Sequence, residues 1–248
     1  MRQILDDIEL EILKLIDEAN KPIGTWAVEN KLRELNIEVS TATVGRILSR
    51  LECSDYLEKY KNEGRTITSE GKIAIKRAET IKIINFYQDK INEIISTEVL
   101  ENFVMIIQAR RAIEKETCRL ATKHITEEEL EKLKKIIEIQ ETKLKKGESI
   151  AEEDIEFHRT IAKASRNTIL ESLYSIVATF KQQSLIFENL RRQINSPYTA
   201  SHRKIYDAIK NNDENKAADL MSEHMDNLLE DVLTYWNKFG NDVNNIYR

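Results

Sequence analysis

The sequence has few of the residues that interrupt helices. Its 248 residues include 6 glycines and 2 prolines, whereas Glu, Lys, Leu and Ile, most of which favour helices, are frequent. This shortage of turn-forming residues argues against a fold of many short strands and predicts a mainly α-helical protein with long helices. The chain is long enough for one large domain or two smaller ones, each with its own core.

Long apolar runs and paired cysteine motifs are also missing. No segment approaches the roughly 20 consecutive apolar residues that a membrane-spanning helix needs, and the first residues, MRQILDDIE, are acidic and amphipathic rather than signal-like. Cys53 and Cys118 show no C-x-x-C spacing, so we expect two reduced thiols rather than a disulfide framework. These absences predict a cytoplasmic protein that does not act on a membrane.

The charge of the chain is unevenly distributed. The net charge is −5, yet residues 40–77 contain 8 Lys/Arg against 5 Asp/Glu, a local charge of +3. Phosphate contact requires only a local basic surface. The acidic balance of the whole chain therefore does not exclude a nucleic-acid partner for this segment.

Residues 1–79 have the pattern of a winged helix-turn-helix. A first helix is predicted from about residue 5 to 19, a second after an N-cap at Thr25, and a third after an N-cap at Ser40. Two strand-like segments follow, separated by K-N-E-G, and they predict a β-hairpin wing. The alternative is a small helical domain with a solvated basic face. The positions that we expect to contact double-stranded DNA are Ser40, Thr41, Thr43, Arg46 and Arg50 on the third helix, and Lys59, Lys61 and Arg65 on the wing.

This N-terminal region resembles a known winged-helix type. The runs P-I-G-T-W, L-R-E-L-N-I-E-V-S-T-A-T-V-G-R-I-L-S-R-L and G-R-T-I-T-S-E-G-K, within about residues 5–77, are similar to the winged helix of NrpR-type transcription factors. The resemblance implies a DNA-binding role.

The remaining chain predicts helices throughout. Residues 80–97 are expected to form a helical linker, since charged residues and isoleucines alternate there without Gly or Pro. Residues 98–240 are expected to form an all-helical domain. Thr126 and Glu129 predict a capping box, Gly147 the end of that helix, and Thr168 the cap of a long helix reaching about residue 192.

Three of the four histidines fall in a pattern that could hold a metal ion. Asp154 and His158 are four positions apart, so both side chains leave one face of a helix. His202 and His224 lie on consecutive helices, and spacing permits but does not require that they meet the first pair. Three imidazoles and one carboxylate suit Zn²⁺, Ni²⁺ or another late divalent transition metal. The alternative is an ordinary polar pair at i,i+4 with unrelated histidines.

A second resemblance joins these residues. The runs Q-A-R-R-A-I-E, D-I-E-F-H-R-T-I-A-K-A-S-R-N and H-R-K-I-Y-D-A-I-K-N-N-D-E-N-K-A-A-D-L-M-S-E-H-M resemble the FCD effector domain of GntR-type regulators, over roughly residues 98–236. The resemblance implies a helical bundle whose cavity binds a small organic acid. Metal-binding members of that family place Asp, His, His and His at the positions matched by Asp154, His158, His202 and His224.

The same resemblance implies two effector contacts. Arg110 matches the arginine of the family motif R-x-x-[LI]-E and would face the acid's carboxylate, and Asn167, in A-S-R-N, would line the pocket. Each has a structural alternative, a buried ion pair for Arg110 and a helix cap for Asn167. The N-terminal half departs from the GntR pattern, because S-T-A-T-V-G-R-I-L stands where S-R-x-x-V-R-x-A-L is usual.

The two halves together predict a homodimeric transcriptional regulator. Its winged helix would read DNA, and a small organic acid bound at the metal centre would modulate that binding. The alternatives are a metal-dependent enzyme acting on a small carboxylate and a metal-binding interaction protein.

Overall fold

The computed structural model describes residues 5–96, 99–178, 181–196 and 200–239, with side chains left out at 95–96, 181–184 and 200–201. Within these ranges the chain forms eleven helices and one two-stranded sheet. The chain divides into two compact units, residues 1–90 and 91–248. The mainly α-helical fold class with a small wing is confirmed.

The first unit begins with three short helices: α1 (Asp7–Ala19), α2 (Thr25–Glu34) and α3 (Thr41–Cys53). Their apolar faces form one core. Ser40 caps α3, as predicted, and its hydroxyl accepts the backbone N–H of Thr43. The predicted cap at Thr25 is wrong by one residue, because Gly24 occupies the N-cap and Thr25 is already helical.

The predicted wing is present and is fixed to the loop before α2. Strands β1 (Leu57–Tyr60) and β2 (Gly64–Ile67) pair in antiparallel register. Ile23 and Arg65 exchange two backbone hydrogen bonds of 3.0 Å. A Cβ atom added at Gly64, where φ is +135°, would lie 2.4 Å from the Ile23 backbone. Glycine is therefore required where the wing meets this loop.

Helix α4 (Ser69–Ser96) follows the wing and covers most of the segment predicted as a helical linker. The second unit then consists of helices with the following bounds: α5 (Leu100–His124), α6 (Glu127–Lys145), α7 (Ala151–Ala164), α8 (Thr168–Ala178), α9 (Lys181–Ile194), α10 (Ala200–Lys210) and α11 (Glu214–Phe239). The capping box of Thr126 and Glu129 is confirmed. Gly147, with φ of +72°, follows the end of α6 as expected.

One long predicted helix appears as two elements. Residues 168–178 form α8 and residues 181–194 form α9, while the two residues between them lie outside the described ranges. The cap of α8 is Asn167 rather than Thr168, since the Asn167 Oδ1 accepts the backbone N–H groups of Ile169 and Leu170. Asparagine is a strong N-cap residue because its side-chain oxygen reaches these unpaired donors.

Packing in the second unit places α7, α10 and α11 around shared buried side chains. Helix α11 lies along α5 and also contacts α9 and α10, and α7 packs on α5 and α6. Phe157, Ile161, Ile205 and Met221 belong to one buried cluster that joins these helices. Among the helices in the described ranges, none combines the length and apolar character needed to cross a membrane.

Candidate metal centre

The four residues predicted to hold a metal meet in the interior of the second unit. Helix α7 supplies Asp154 and His158, α10 supplies His202, and α11 supplies His224. All four are buried, and one ligand atom from each lies within 4.8 Å of the others. The packing of the three helices thus brings His202 and His224 to the Asp154–His158 pair, which spacing alone left open.

The distances between the donor atoms suit a small cation. The Nε2 atom of His202 lies 3.3 Å from Nε2 of His224 and 3.5 Å from Oδ1 of Asp154. The Nε2 atom of His158 lies 3.9 Å from the same carboxylate oxygen. Ligands about 2.0–2.1 Å from a tetrahedral zinc ion lie about 3.3 Å from each other. The cluster is therefore close to the spacing of a zinc-type site.

A buried atom without a partner supports the same conclusion. Nε2 of His158 makes no hydrogen bond with any described residue. A buried polar atom without a partner is costly unless something satisfies it. A cation within the cluster would satisfy this nitrogen and the facing nitrogens of His202 and His224 together. Asp154, His158, His202 and His224 thus fit a divalent transition metal, whose identity their geometry leaves open.

The electrostatic environment keeps two of the imidazoles neutral. Burial lowers the pKa of His202 to about 3, even though Asp154 opposes the shift. Burial, followed by the charges of His202 and His158, lowers the pKa of His224 well below its ordinary value. Imidazole must be deprotonated to bind a metal. At neutral pH, protons therefore do not compete for these two ligands.

Two polar residues outside the cluster contact its histidines from behind. Glu114 on α5 touches Nδ1 of His158 through Oε2, and Gln140 on α6 lies with Oε1 3.0 Å from Nδ1 of His202. Sequence reasoning missed both residues. Gln140 left a signal, because a polar side chain occupies the position i+7 from Leu133 on the apolar face of α6.

Arg110 lies next to this group and pairs with Glu114. Its Nε donates to Oε1 of Glu114 over 2.7 Å, and both side chains are buried. Burial would raise the pKa of Glu114, but Arg110 and His158 outweigh it and lower the pKa to about 2. Asp154 and Tyr174 are within electrostatic range of the guanidinium. The ion pair uses only Nε, and a guanidinium has four further N–H donors.

Asn167, the second predicted effector contact, caps α8. Its side-chain oxygen is occupied by two backbone N–H groups, and the residue is half-buried. Only the side-chain amide nitrogen has the chemistry to donate to an acid. The structure therefore brings Arg110 close to the cluster and shows a structural role for Asn167.

Seven of the eight residues predicted to contact DNA fall into two groups, of which the first is accessible, and the eighth, Thr43, is half-buried. Ser40, Arg46, Lys59 and Lys61 are exposed. The guanidinium of Arg46 donates to Thr43 Oγ1 over 3.1 Å and, among the described residues, has no acidic partner. Ser40, Arg46 and Lys61 can reach phosphate or base edges without breaking an ion pair, whereas Nζ of Lys59 lies 4.0 Å from Oε1 of Glu52.

The second group is engaged within the protein. Thr41 donates to the carboxylate of Glu29, and Arg50 donates to Oε1 of Glu9 over 2.7 Å. Arg65, with 13% of its side chain exposed, donates through Nε to Glu52 over 3.0 Å. A DNA contact by these residues would compete with an existing bond.

Comparison with known proteins identifies both units. The profile of the FCD domain family matches residues 105–227, and that of the Ribonuclease R winged-helix domain matches residues 10–75. The HTH-type transcriptional regulator YcbG of Bacillus subtilis is 29% identical over 177 residues, covering 64% of this chain and 72% of that protein. The HTH-type transcriptional repressor NanR of Escherichia coli is 22% identical over 204 residues, 76% of each chain. The chain contains an FCD domain, and the two relatives are HTH-type transcriptional regulators.

The FCD domain thus contains the whole candidate metal site, since Asp154, His158, His202 and His224 all lie within residues 105–227. The chain belongs to the DNA-binding regulators that a small molecule modulates, and not to a family of enzymes. The winged-helix family that matches is that of Ribonuclease R and not the NrpR type that the sequence resembles, although both are winged helices. Among solved structures, Streptococcus agalactiae GntR is similar, with a TM-score of 0.46 and 21% identity over 90% of this chain and 99% of that one.

Proposed function

We propose that this protein is a cytoplasmic, homodimeric transcriptional regulator whose operator affinity changes when a small organic acid binds at the metal centre. The observation that carries the proposal is the buried cluster of three histidines and one aspartate in a chain that also has an accessible winged helix. Zn²⁺ and Ni²⁺ are the ions that suit this donor set best.

The donor set supports a carboxylate ligand. Three neutral imidazoles and one aspartate leave a divalent cation with a net positive charge, and a cation that expands from four ligands to five would accept an anionic oxygen as the fifth. Arg110 would complement the same acid through the N–H donors that Glu114 does not use. Asn167 would add at most its side-chain amide. The acid would be recognised through the charges of the cation and of Arg110.

The winged helix supports operator binding through α3 and the wing. Arg46 is the side chain best placed to read a base edge or a phosphate, because it is exposed and lacks an acidic partner in the described ranges. Ser40, Thr43, Lys59 and Lys61 would add contacts near the phosphate backbone. Thr41, Arg50 and Arg65 would contribute only after exchanging their present partners.

Exposed apolar side chains on α4 support self-association. Ile83, Ile84, Phe86 and Tyr87 are each more than half exposed within one turn of the helix. Grouped apolar side chains on a surface mark contact sites more often than isolated ones do. A homodimer would place two winged helices on the two half-sites of a palindromic operator. Sedimentation velocity of Ile84→Glu beside wild type tests this surface, and an unchanged dimer in the variant would exclude it.

The decisive experiment combines metal analysis with DNA selection. Zinc-loaded protein selects fragments from a random DNA library, and binding to the enriched sequence is measured with and without a panel of small mono- and dicarboxylic acids. We expect one metal ion per chain by elemental analysis, a defined operator, and an acid that changes operator affinity at least tenfold. Failure to enrich any sequence would contradict the regulator, whereas enrichment without an acid effect would contradict only the effector.

A further inference from the structure

The two ring nitrogens of His158 and His202 are in different surroundings. In both residues Nδ1 faces a polar side chain from a neighbouring helix, and Nε2 faces the metal cluster. The two outer partners, Glu114 and Gln140, are buried. A fixed partner at one ring nitrogen decides which nitrogen carries the proton and how the ring is oriented.

We propose that Glu114, held in place by Arg110, positions His158 for the ion, and that Gln140 does the same for His202. The inference deepens the proposed function and rests on its metal centre. Glu114 and Gln140 do not themselves contact the ion. They are positioning residues that act through the histidines.

The chemistry of the two partners explains their roles. An ionised carboxylate accepts hydrogen bonds and cannot donate one. Oε2 of Glu114 lies in direct contact with Nδ1 of His158, so it would place the proton of His158 on Nδ1 and leave a lone pair on Nε2. The amide oxygen of Gln140 has the same effect on His202 without a charge. The partner of His158 is thus a carboxylate and the partner of His202 a neutral amide.

Arg110 explains how a carboxylate is kept ionised in the interior. The 2.7 Å hydrogen bond between Arg110 Nε and Glu114 Oε1 leaves the second oxygen of Glu114 directed at His158. A continuous series of contacts therefore runs from Arg110 through Glu114 to a metal ligand. An acid that binds Arg110 would therefore be linked through Glu114 to His158.

The test measures zinc affinity and the tautomer of His158 in the full-length protein. Zinc affinity is obtained by competition with a chromophoric chelator, and the protonated ring nitrogen is identified by ¹H–¹⁵N NMR of the zinc-loaded protein. We expect Glu114→Ala to weaken zinc binding roughly 10–100-fold and to remove the Nδ1–H signal of a single tautomer. Glu114→Gln keeps an acceptor without the charge, so its loss should be smaller.

Control variants separate positioning from folding. Glu116→Gln lies on the same helix but on the surface, where Glu116 pairs with Arg119, and it should bind zinc as wild type does. The double variant Arg110→Met/Glu114→Gln leaves no uncompensated buried charge and serves if a single variant fails to fold. Gln140→Ala tests the second half of the proposal on another helix and should also weaken zinc binding.

The outcomes for the two proposals are distinguishable. Absence of zinc binding by wild type would overturn the metal centre itself. Wild-type zinc affinity and an unchanged tautomer in folded Glu114 variants would overturn the role of Glu114 alone. Unchanged affinity in Gln140→Ala would overturn the corresponding role of Gln140.

Discussion

Arg65 and Glu52 connect the wing to α3 through a 3.0 Å hydrogen bond between Nε and Oε2. Arg65 also shares two backbone hydrogen bonds with Ile23. A residue that sequence reasoning assigned to DNA contact is thus one that holds the winged helix together. Arg46, on the exposed side of α3, has no comparable restraint.

This difference predicts separate effects for two arginine substitutions. Arg46→Ala should weaken binding to the selected operator by about 1–3 kcal/mol, since it removes a base-edge or phosphate contact, and should leave stability unchanged. Arg65→Ala should lower the free energy of unfolding because Glu52 loses the nearer of its two cationic partners. Fluorescence anisotropy with labelled operator and urea denaturation measure the two quantities. Equal operator affinity in Arg46→Ala and wild type would show that Arg46 does not contact the operator.

Loss of one histidine should abolish high-affinity metal binding. His202 lies within 3.5 Å of two other donor atoms of the cluster, so His202→Ala removes a central ligand. We expect metal content near one ion per chain in wild type and near zero in the variant, measured by elemental analysis after dialysis. His124→Ala is the matched control, because His124 is exposed at the end of α5. Equal metal content in the two variants would mean that the ion binds elsewhere.

Two substitutions at Asn167 separate its role as a helix cap from its predicted contact with the acid. Asn167→Ala should lower the free energy of unfolding by about 1 kcal/mol, because α8 loses its side-chain cap. Asn167→Asp keeps an acceptor at the same place, so its stability should match wild type while the amide donor is gone. Urea denaturation gives the first comparison, and titration with the active acid gives the second. Wild-type acid affinity in Asn167→Asp would leave Asn167 with the capping role alone.

The metal-free protein should lose stability as the pH falls. The pKa of His202 is lowered by burial from 6.5 to about 3, so between these values the unfolded chain binds a proton that the folded chain does not. This contribution is present above about pH 6.5 and is lost as the pH falls towards 3, at up to about 1.4 kcal/mol per pH unit for one histidine. Urea denaturation of chelator-treated protein at pH 7.5, 6.5 and 5.5 measures the slope. His202→Gln lacks the titrating group, so an equally steep slope in that variant would refute the assignment.

The sequence predicted local features where one residue type meets one steric or hydrogen-bonding need. Rules that act within a few residues predict three of these features: the Ser40 cap, the capping box of Thr126 and Glu129, and the hairpin whose second strand begins at Gly64. The pairing of Asp154 with His158 follows from helix periodicity. The caps predicted at Thr25 and Thr168 were wrong by one residue, because the preceding residues, Gly24 and Asn167, occupy the N-cap positions.

Contacts between distant helices could not be predicted in this way. Convergence of His202 and His224 on Asp154 depends on how α7, α10 and α11 pack, and the sequence supplied it only through resemblance to a family. Glu114 and Gln140 were missed for the same reason, since nothing local relates either residue to a histidine on another helix. Packing of three helices determines the site, whereas spacing determines only half of it.

The four proposed ligands lie on three helices, so a bound ion would also constrain the topology of the chain. His202 and His224 are 22 positions apart, and α8 and α9 separate His158 from both. An ion bound by all of them closes loops in the same way as a covalent cross-link and reduces the entropy gained on opening. Local opening of α7, α10 or α11 would then require release of the ion. Chelation should therefore raise amide hydrogen exchange and protease cleavage in all three helices.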